Sequence, residues 1–316
     1  MPAQRVHSTA GTVPVAAPAG VVYGMLADTL RWPLFLASYV HVEQLDFDGV
    51  EEQLLVWEIE ADRVRSQHAR RTLDPQARAV SFEQRDADWP GDTATGRWSV
   101  EPQGPDRSLL TLRQERPWAG ASPTTPGLLE AEVRGRLARV REMAERWDRL
   151  DELLFSFENR VHVRGAAELV YDFLYRIGDW ADLLPHVEWT TVTEDRPGVQ
   201  FAAVGSCAAP DGGSSASEAV RLCFPHAGRI VHKERTTPAL IAAHSGEWSL
   251  LPDEDGVTVV SAHQVMLRAS DMVPVLGEGA CPADAREYVR EWLGRADAEV
   301  LGLAKWYAED TVRRLR

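Results

Sequence analysis

Cysteine is nearly missing from this chain. Its 316 residues include three, Cys207, Cys223 and Cys281, an odd and scattered set that offers neither a disulfide framework nor zinc-ligand spacing. No stretch approaches the ~18 apolar residues of a membrane-spanning helix. The segment from Met1 to Pro14 lacks the apolar core of a secretion signal. Positive charge is also in deficit: 34 Lys and Arg against 48 Asp and Glu leave a net charge of −14. That excludes a general binder of phosphate backbones, which needs a basic face. No Gly-x-Gly-x-x-Gly segment, phosphate loop or nucleophile elbow occurs. His162, His186, His226, His232, His244 and His263 form no helical pair around a Glu, so neither a metal nor another cofactor is expected. These absences point to a reduced, cytoplasmic protein, free of membrane and nucleic acid, that handles a neutral ligand.

What is present is a repeat. Displaced by 148 residues, Val13, Val15, Val22, Tyr23, Leu26, Trp32 and Leu36 fall on Val161, Val163, Val170, Tyr171, Leu174, Trp180 and Leu184. Displaced by 150, Ala69, Arg71 and Pro75 fall on Ala219, Arg221 and Pro225, and Gly-Arg-Trp-Ser at 96–99 falls on Gly-Glu-Trp-Ser at 246–249. Gln114 falls on Gln264 at the same displacement. Shared Trp, Pro and Arg are not a product of apolar periodicity. The chain therefore reads as two copies of one domain, residues 1–150 and 151–316.

Each copy has the same order of elements. Residues 12–17 alternate as a strand, Pro18 opens a helix with Val22, Leu26 and Leu30 at helical spacing, and Trp32-Pro33 breaks it before a second short helix. Five or six strands follow, with turns at Asp48-Gly49, Asp74-Pro75, Pro90-Gly91 and Pro102 to Asp106. A long amphipathic helix closes the copy, its stripe running through Leu129, Val133, Leu137, Val140, Ala144 and Trp147. The second copy ends in a helix from Pro282 to Glu309. The fold class is α+β: an antiparallel sheet that curls around one long helix, with two short helices, twice over. That is the helix-grip arrangement of START-like domains, which leaves a cavity between sheet and helix.

Strand parity selects the cavity residues, because alternate side chains share a face. Trp57 is placed inward with Leu55 and Ile59. Arg65, Gln67 and Arg71 share a face with Ala69, and the repeated Ala219 and Arg221 mark that face as the inner one. The first cavity is thus expected to hold Trp32, Tyr39, Trp57, Arg65, Gln67, Arg71, Trp98 and Gln114. The second is expected to hold Trp180, Arg221, Trp248 and Gln264. Aromatic walls with a few convergent polar groups describe a small-molecule site. The arginines of the first long helix alternate with acids and read as a solvated face. Arg139, Arg146 and Arg149 on one side of it form the candidate patch for docking an acidic partner.

Several segments resemble the aromatase/cyclases of bacterial type II polyketide synthases, in particular the two-domain members. They are Arg31-Trp32-Pro33-Leu34-Phe35 with Tyr39, Ala69-Arg70-Arg71-Thr72-Leu73-Asp74-Pro75, Gly96-Arg97-Trp98-Ser99 and Arg113-Gln114-Glu115. Their second-copy counterparts are Arg221-Leu222-Cys223-Phe224-Pro225, Gly246-Glu247-Trp248 and Ser261-Ala262-His263. The resemblance implies an enzyme without a cofactor that folds a poly-β-ketone delivered by an acyl carrier protein. It implies work beside other type II polyketide synthase subunits. It further implies ring closure by an intramolecular aldol between C7 and C12 of a C9-reduced chain, followed by dehydration and aromatisation. The family's pocket Arg and Tyr carry over onto Arg71 and Tyr39, and the Arg alone onto Arg221, since Val187 stands where the first copy has Tyr39. The first copy is expected to cyclise and the second to support it or act on the cyclised product, with His244 and His263 as candidates for a later dehydration. Two rivals remain: a non-catalytic START-like carrier of a lipid or quinone, and an interaction module with one structural copy.

Overall fold

A computed structural model describes residues 5–60, 62–87, 93–118, 126–207 and 215–315 of the chain. The turn expected at Pro90-Gly91 lies outside them. The chain divides into two compact units, Met1–Leu150 and Asp151–Arg316.

In the first unit β1 (Arg5–Val15) leads into α1 (Ala19–Ala27) and α2 (Trp32–Phe35). Six strands follow: β2 (Tyr39–Phe47), β3 (Glu51–Glu60), β4 (Arg63–Asp74), β5 (Ala79–Asp86), β6 (Thr93–Gly104) and β7 (Arg107–Trp118). The long helix α3 (Pro126–Ala144) comes next, then α4 (Trp147–Leu153), within which the unit boundary falls. The second unit repeats the order with β8 (Leu154–Val163), α5 (Ala167–Tyr175), α6 (Trp180–Leu183), β9 (Val187–Arg196), β10 (Val199–Ser206) and β11 (Ser215–Phe224). It continues through β12 (Arg229–Thr236), β13 (Ile241–Asp253), β14 (Gly256–Leu267), α7 (Met272–Leu276) and α8 (Pro282–Leu315).

Each unit holds one seven-stranded sheet, ordered β1-β7-β6-β5-β4-β3-β2 and β8-β14-β13-β12-β11-β10-β9. Short hairpins make consecutive strands antiparallel neighbours, and the first strand of each unit pairs with the last. The long helix packs on those two strands and on the first helix. Its stripe works as the spacing requires: Leu129 is buried, and Val133, Leu137 and Ala144 share a buried cluster with Leu110 and Leu112. Each such leucine contributes roughly 1.5–3 kcal/mol. The stripe ends early: the helix stops at Ala144, and Trp147 begins a new helix with 40% of its surface exposed.

The two displacements of the repeat have structural causes. Glu52 is the register partner of Arg71, and Gln200 that of Arg221, so the second copy carries two extra residues in this hairpin. In the next long hairpin Trp98 pairs with Leu112, whereas Trp248 pairs with Ser261. There the first copy has one residue more, taken up by a bulge between Pro102 and Gly104.

Candidate active site

Arg71 rises from β4 into the space between the first sheet and α3. Its side chain is almost fully buried. Nη1 comes within 2.8 Å of Glu52 Oε1 across the β3–β4 ladder, Nη2 donates to the Leu26 carbonyl at the end of α1, and Cζ lies 5.0 Å over the Trp32 ring. The α1–α2 junction is pinned by Trp32 Nε1, which donates to the Met25 carbonyl at 3.1 Å. Burial pulls the Arg71 guanidinium below its ordinary range, while Glu52 and then Tyr39 hold it up. Arg71 Nη1 and Glu52 Oε1 form a buried ion pair without the alignment of a hydrogen bond.

The cavity around this group is walled by Trp32, Phe35, Tyr39, Phe82, Trp98 and Met143, with Gln84, Arg136 and Arg139 as further polar groups. Tyr39 meets Trp32 edge to face at 5.1 Å. Burial, then Glu58, pushes its hydroxyl above the ordinary tyrosine range, against the pull of Arg136, Arg139 and Arg71. At neutral pH Tyr39 is therefore a proton donor. Gly96 leaves room for the Phe82 ring, since a Cβ there would lie 2.4 Å from Phe82 Cζ.

The second unit repeats this frame with a different filling. Arg221 Nη2 donates to the Leu174 carbonyl, Nη1 donates to the Tyr175 carbonyl at 3.2 Å, and Trp180 Nε1 donates to the Phe173 carbonyl at 3.3 Å. Where Glu52 stands in the first unit, neutral Gln200 accepts from Arg221 at 2.6 Å. Deeper in the sheet His232 takes the place of Phe82, over Gly246 and 5.1 Å from the Trp248 ring. His244 Nε2 and His263 Nδ1 are 3.1 Å apart, and His263 Nε2 lies 3.0 Å from Asp297 Oδ2 on α8. Asn159 donates to the same carboxylate oxygen at 3.0 Å. With His263 Nε2–H given to Asp297, its Nδ1 accepts from His244. Burial, then His263 and Arg221, pushes His232 down to about 3, and His244 is likewise held well below its ordinary value by burial and its histidine neighbours. Burial pushes Glu234 up to about 8. His232, Glu234 and His244 bring ligand-capable atoms within 4.8 Å of one another, a set that suits a divalent cation. Helical spacing misses such a group, because strand alternation and cross-strand neighbours build it.

Of the expected site residues, the structure gathers Trp32, Tyr39, Arg71 and Trp98 in one cavity, and Trp180, Arg221 and Trp248 in the matching place of the second unit. The others go elsewhere. Trp57 lies on the opposite face: Glu52, Leu54 and Val56 are the inner residues of β3, and Trp57 packs on His41 with centroids 5.3 Å apart. Arg65 is on the inner face but is bound by Asp86, with Nε donating at 2.7 Å, and by Glu60 at 2.8 Å. With Gln67 it lines a separate small recess that meets the main cavity only at Gln84. Gln114 points inward but donates to Glu132 on α3 at 3.4 Å and does not line the cavity. Gln264 is exposed; the residue missing from the second β13–β14 hairpin slips its strand by one, so His263 occupies the Gln114 position. Arg139 leaves the supposed docking patch and turns into the cavity, while Arg146 pairs with Glu142 at 2.8 Å. Sequence reasoning missed Glu52, Gln84, Arg136 and Arg139. Charged residues on an alternating strand or an amphipathic helix read as solvent-facing.

Fold and cavity together define a tandem helix-grip protein whose first unit presents a buried guanidinium on an aromatic wall. Of the protein-family models compared, none matches the chain. The chain is 32% identical over 299 residues to the granaticin polyketide synthase bifunctional cyclase/dehydratase of Streptomyces violaceoruber, covering 93% of this chain and 92% of the relative. It is 32% identical over 300 residues to the actinorhodin polyketide synthase bifunctional cyclase/dehydratase of Streptomyces coelicolor, covering 91% and 92%. Among solved structures, the di-domain aromatase/cyclase BexL matches with a TM-score of 0.82 at 34% identity, over 96% of this chain and 98% of that one. The di-domain aromatase/cyclase StfQ, from the steffimycin biosynthetic pathway, matches with a TM-score of 0.83 at 29% identity, over 96% and 99%. The chain belongs to the polyketide cyclase/dehydratases, the di-domain aromatase/cyclases, and is an enzyme of that family.

Proposed function

We propose that the first-unit cavity folds a C9-reduced poly-β-ketone, delivered by an acyl carrier protein of a type II polyketide synthase in the cytoplasm, and closes its first ring between C7 and C12. The observation that carries this reading is Arg71: a guanidinium sealed between Trp32, Glu52 and the end of α1 that still faces an aromatic cavity. An aldol needs an enolate carbon held against a ketone carbon, and the ketone oxygen takes up negative charge as the bond forms. A preorganised cation in a dry site stabilises that charge. Tyr39 is protonated and close by, and its O–H supplies the proton to the new alkoxide. Arg71, Arg136 and Arg139 then steady the transient phenolate until it regains, through water, the proton lost by the carbon that became the enolate. The aromatic walls hold the chain folded, and good orientation of such a reaction is worth roughly 7–11 kcal/mol in the best cases.

Loss of water falls to the second unit in this reading. His263, oriented by Asp297, holds His244 Nε2–H, so His244 Nδ1 is the base that takes the proton next to the hydroxyl and passes it to that hydroxyl, which leaves as water. The test joins the chain to a minimal polyketide synthase and ketoreductase and compares products. Arg71→Ala is expected to give wrongly folded shunt products, and His263→Ala a cyclised but undehydrated one. Normal product from folded Arg71→Ala protein would remove the cyclising role. A carrier of lipid or quinone would leave the product pattern untouched by either change.

A further inference from the structure

Arg71 enters the first cavity from the sheet; two more guanidinium groups enter it from the helix. Arg136 and Arg139 stand on the face of α3 that also carries Val140 and Met143. The two differ in how they are neutralised. Arg136 lies 3.0 Å from Glu132 one turn earlier. Arg139 has no ion-pair or hydrogen-bond partner among the described residues, and its Nε is sealed from solvent. A buried donor without an acceptor is a standing penalty that folding alone does not explain.

The repeat shows that the scaffold does not require it. Glu145, just past the end of α3, accepts from the Ala16 amide at 3.1 Å, and Glu309 on α8 accepts from the equivalent Arg164 amide at 3.0 Å. Counting back equally from these anchors, Arg136 and Arg139 fall on Val300 and Leu303. Both belong to the apolar cluster that also holds Phe173, Trp180 and Trp248. The second unit fills this place with hydrocarbon. The first keeps it open and lines it with positive charge.

We propose that Arg139 is a second oxygen-binding group of the cavity, which takes a carbonyl or enolate oxygen of a β-dicarbonyl ligand while Arg71 takes another from the opposite wall. The inference rests on the cavity being the ligand site, as argued above. Two donors on separate walls hold a flexible chain at two oxygens. Their separation then sets which carbonyls lie opposite each other, so Arg139 bears on ring register as well as on affinity. Tyr39 lies between them in its electrostatics, since both arginines stabilise its anion.

The test is binding, read by calorimetry on the full chain. The probes are benzoylacetone, an enolisable 1,3-diketone, and butylbenzene, which has the ring without the oxygens. Arg139→Gln is expected to weaken benzoylacetone at least tenfold and leave butylbenzene unchanged, with Arg139→Lys in between. Arg141→Gln, an exposed pair of Glu145, serves as the control and should bind as the parent does. Unchanged benzoylacetone affinity in folded Arg139→Gln and Arg139→Lys, with a loss in Arg71→Gln, would overturn the role of Arg139 and leave the cavity reading standing. No diketone binding by the parent chain would overturn both.

Discussion

Arg71 and Arg221 are the same residue in two electrostatic settings. Both send Nη2 to a helix-end carbonyl, Leu26 in one unit and Leu174 in the other. Arg71 faces a carboxylate, however, and Arg221 an amide. Removing one partner of a buried ion pair leaves an uncompensated charge, so Glu52→Ala should lower stability by about 3–5 kcal/mol. Gln200→Ala removes one hydrogen bond from a guanidinium that keeps two carbonyls, along with the Gln200 bonds to Glu194 and the Tyr175 carbonyl, and should lower it by about 2 kcal/mol. Urea unfolding of both variants measures the difference, and equal losses would contradict the ion pair at Glu52. Arg71 was legible because the repeat marked it twice. Glu52 was not, because a Glu in an alternating strand normally faces water.

At the scale of elements, parity and register decided what the site contains. In β3 four apolar residues run together from Leu54 to Trp57, so composition does not say which pair is inner. The pairing of Glu52 with Arg71 does. In β14 a single residue fewer in the preceding hairpin replaces an outward Gln264 with an inward His263 at the Gln114 position. The turn after β4 offers a cleaner test. Arg78 there has φ of 49°, and its counterpart Gly228 has φ of 58°. A side chain in this left-handed region is strained, and glycine is not. Arg78→Gly should therefore raise stability by up to about 1 kcal/mol, after the extra freedom glycine has in the unfolded chain. A loss of stability on thermal unfolding would show that Arg78 makes compensating contacts.

For the whole molecule, duplication has supplied two interiors that then diverged: an open cationic cavity in one unit, a histidine cluster in the other. The cluster ties stability to pH. His232 is pushed down to about 3 and His244 also lies well below its ordinary value. Both stay bare in the fold, whereas the unfolded chain protonates them below about pH 6.5. Their contribution is fully present above that value and is lost as pH falls toward their folded values. As pH falls from about 6.5 to 4.5 the two histidines should lower the stability of the second unit with a slope approaching two protons, which Glu234, raised to about 8 in the fold, offsets by about one. His232→Phe, which copies Phe82 of the first unit, should reduce that slope by about one proton. Denaturant midpoints across this range in parent and variant give the answer, and an unchanged slope would mean that His232 is protonated in the fold.

The amino-acid order alone determined the duplication, the sequence of elements, the curved sheet around a helix and the paired arginines. Each of these rests on local periodicity, turn residues or direct repetition, which are properties of neighbours along the chain. Tertiary structure decided the rest: Trp57 turned outward, Arg65 bound by Asp86, Arg139 turned in, and His244, His263 and Asp297 joined across three elements. Those outcomes depend on which strand lies opposite which residue, and on a one-residue bulge in one hairpin but not its counterpart. A slip of one position reverses a whole strand face while barely changing the pattern of letters.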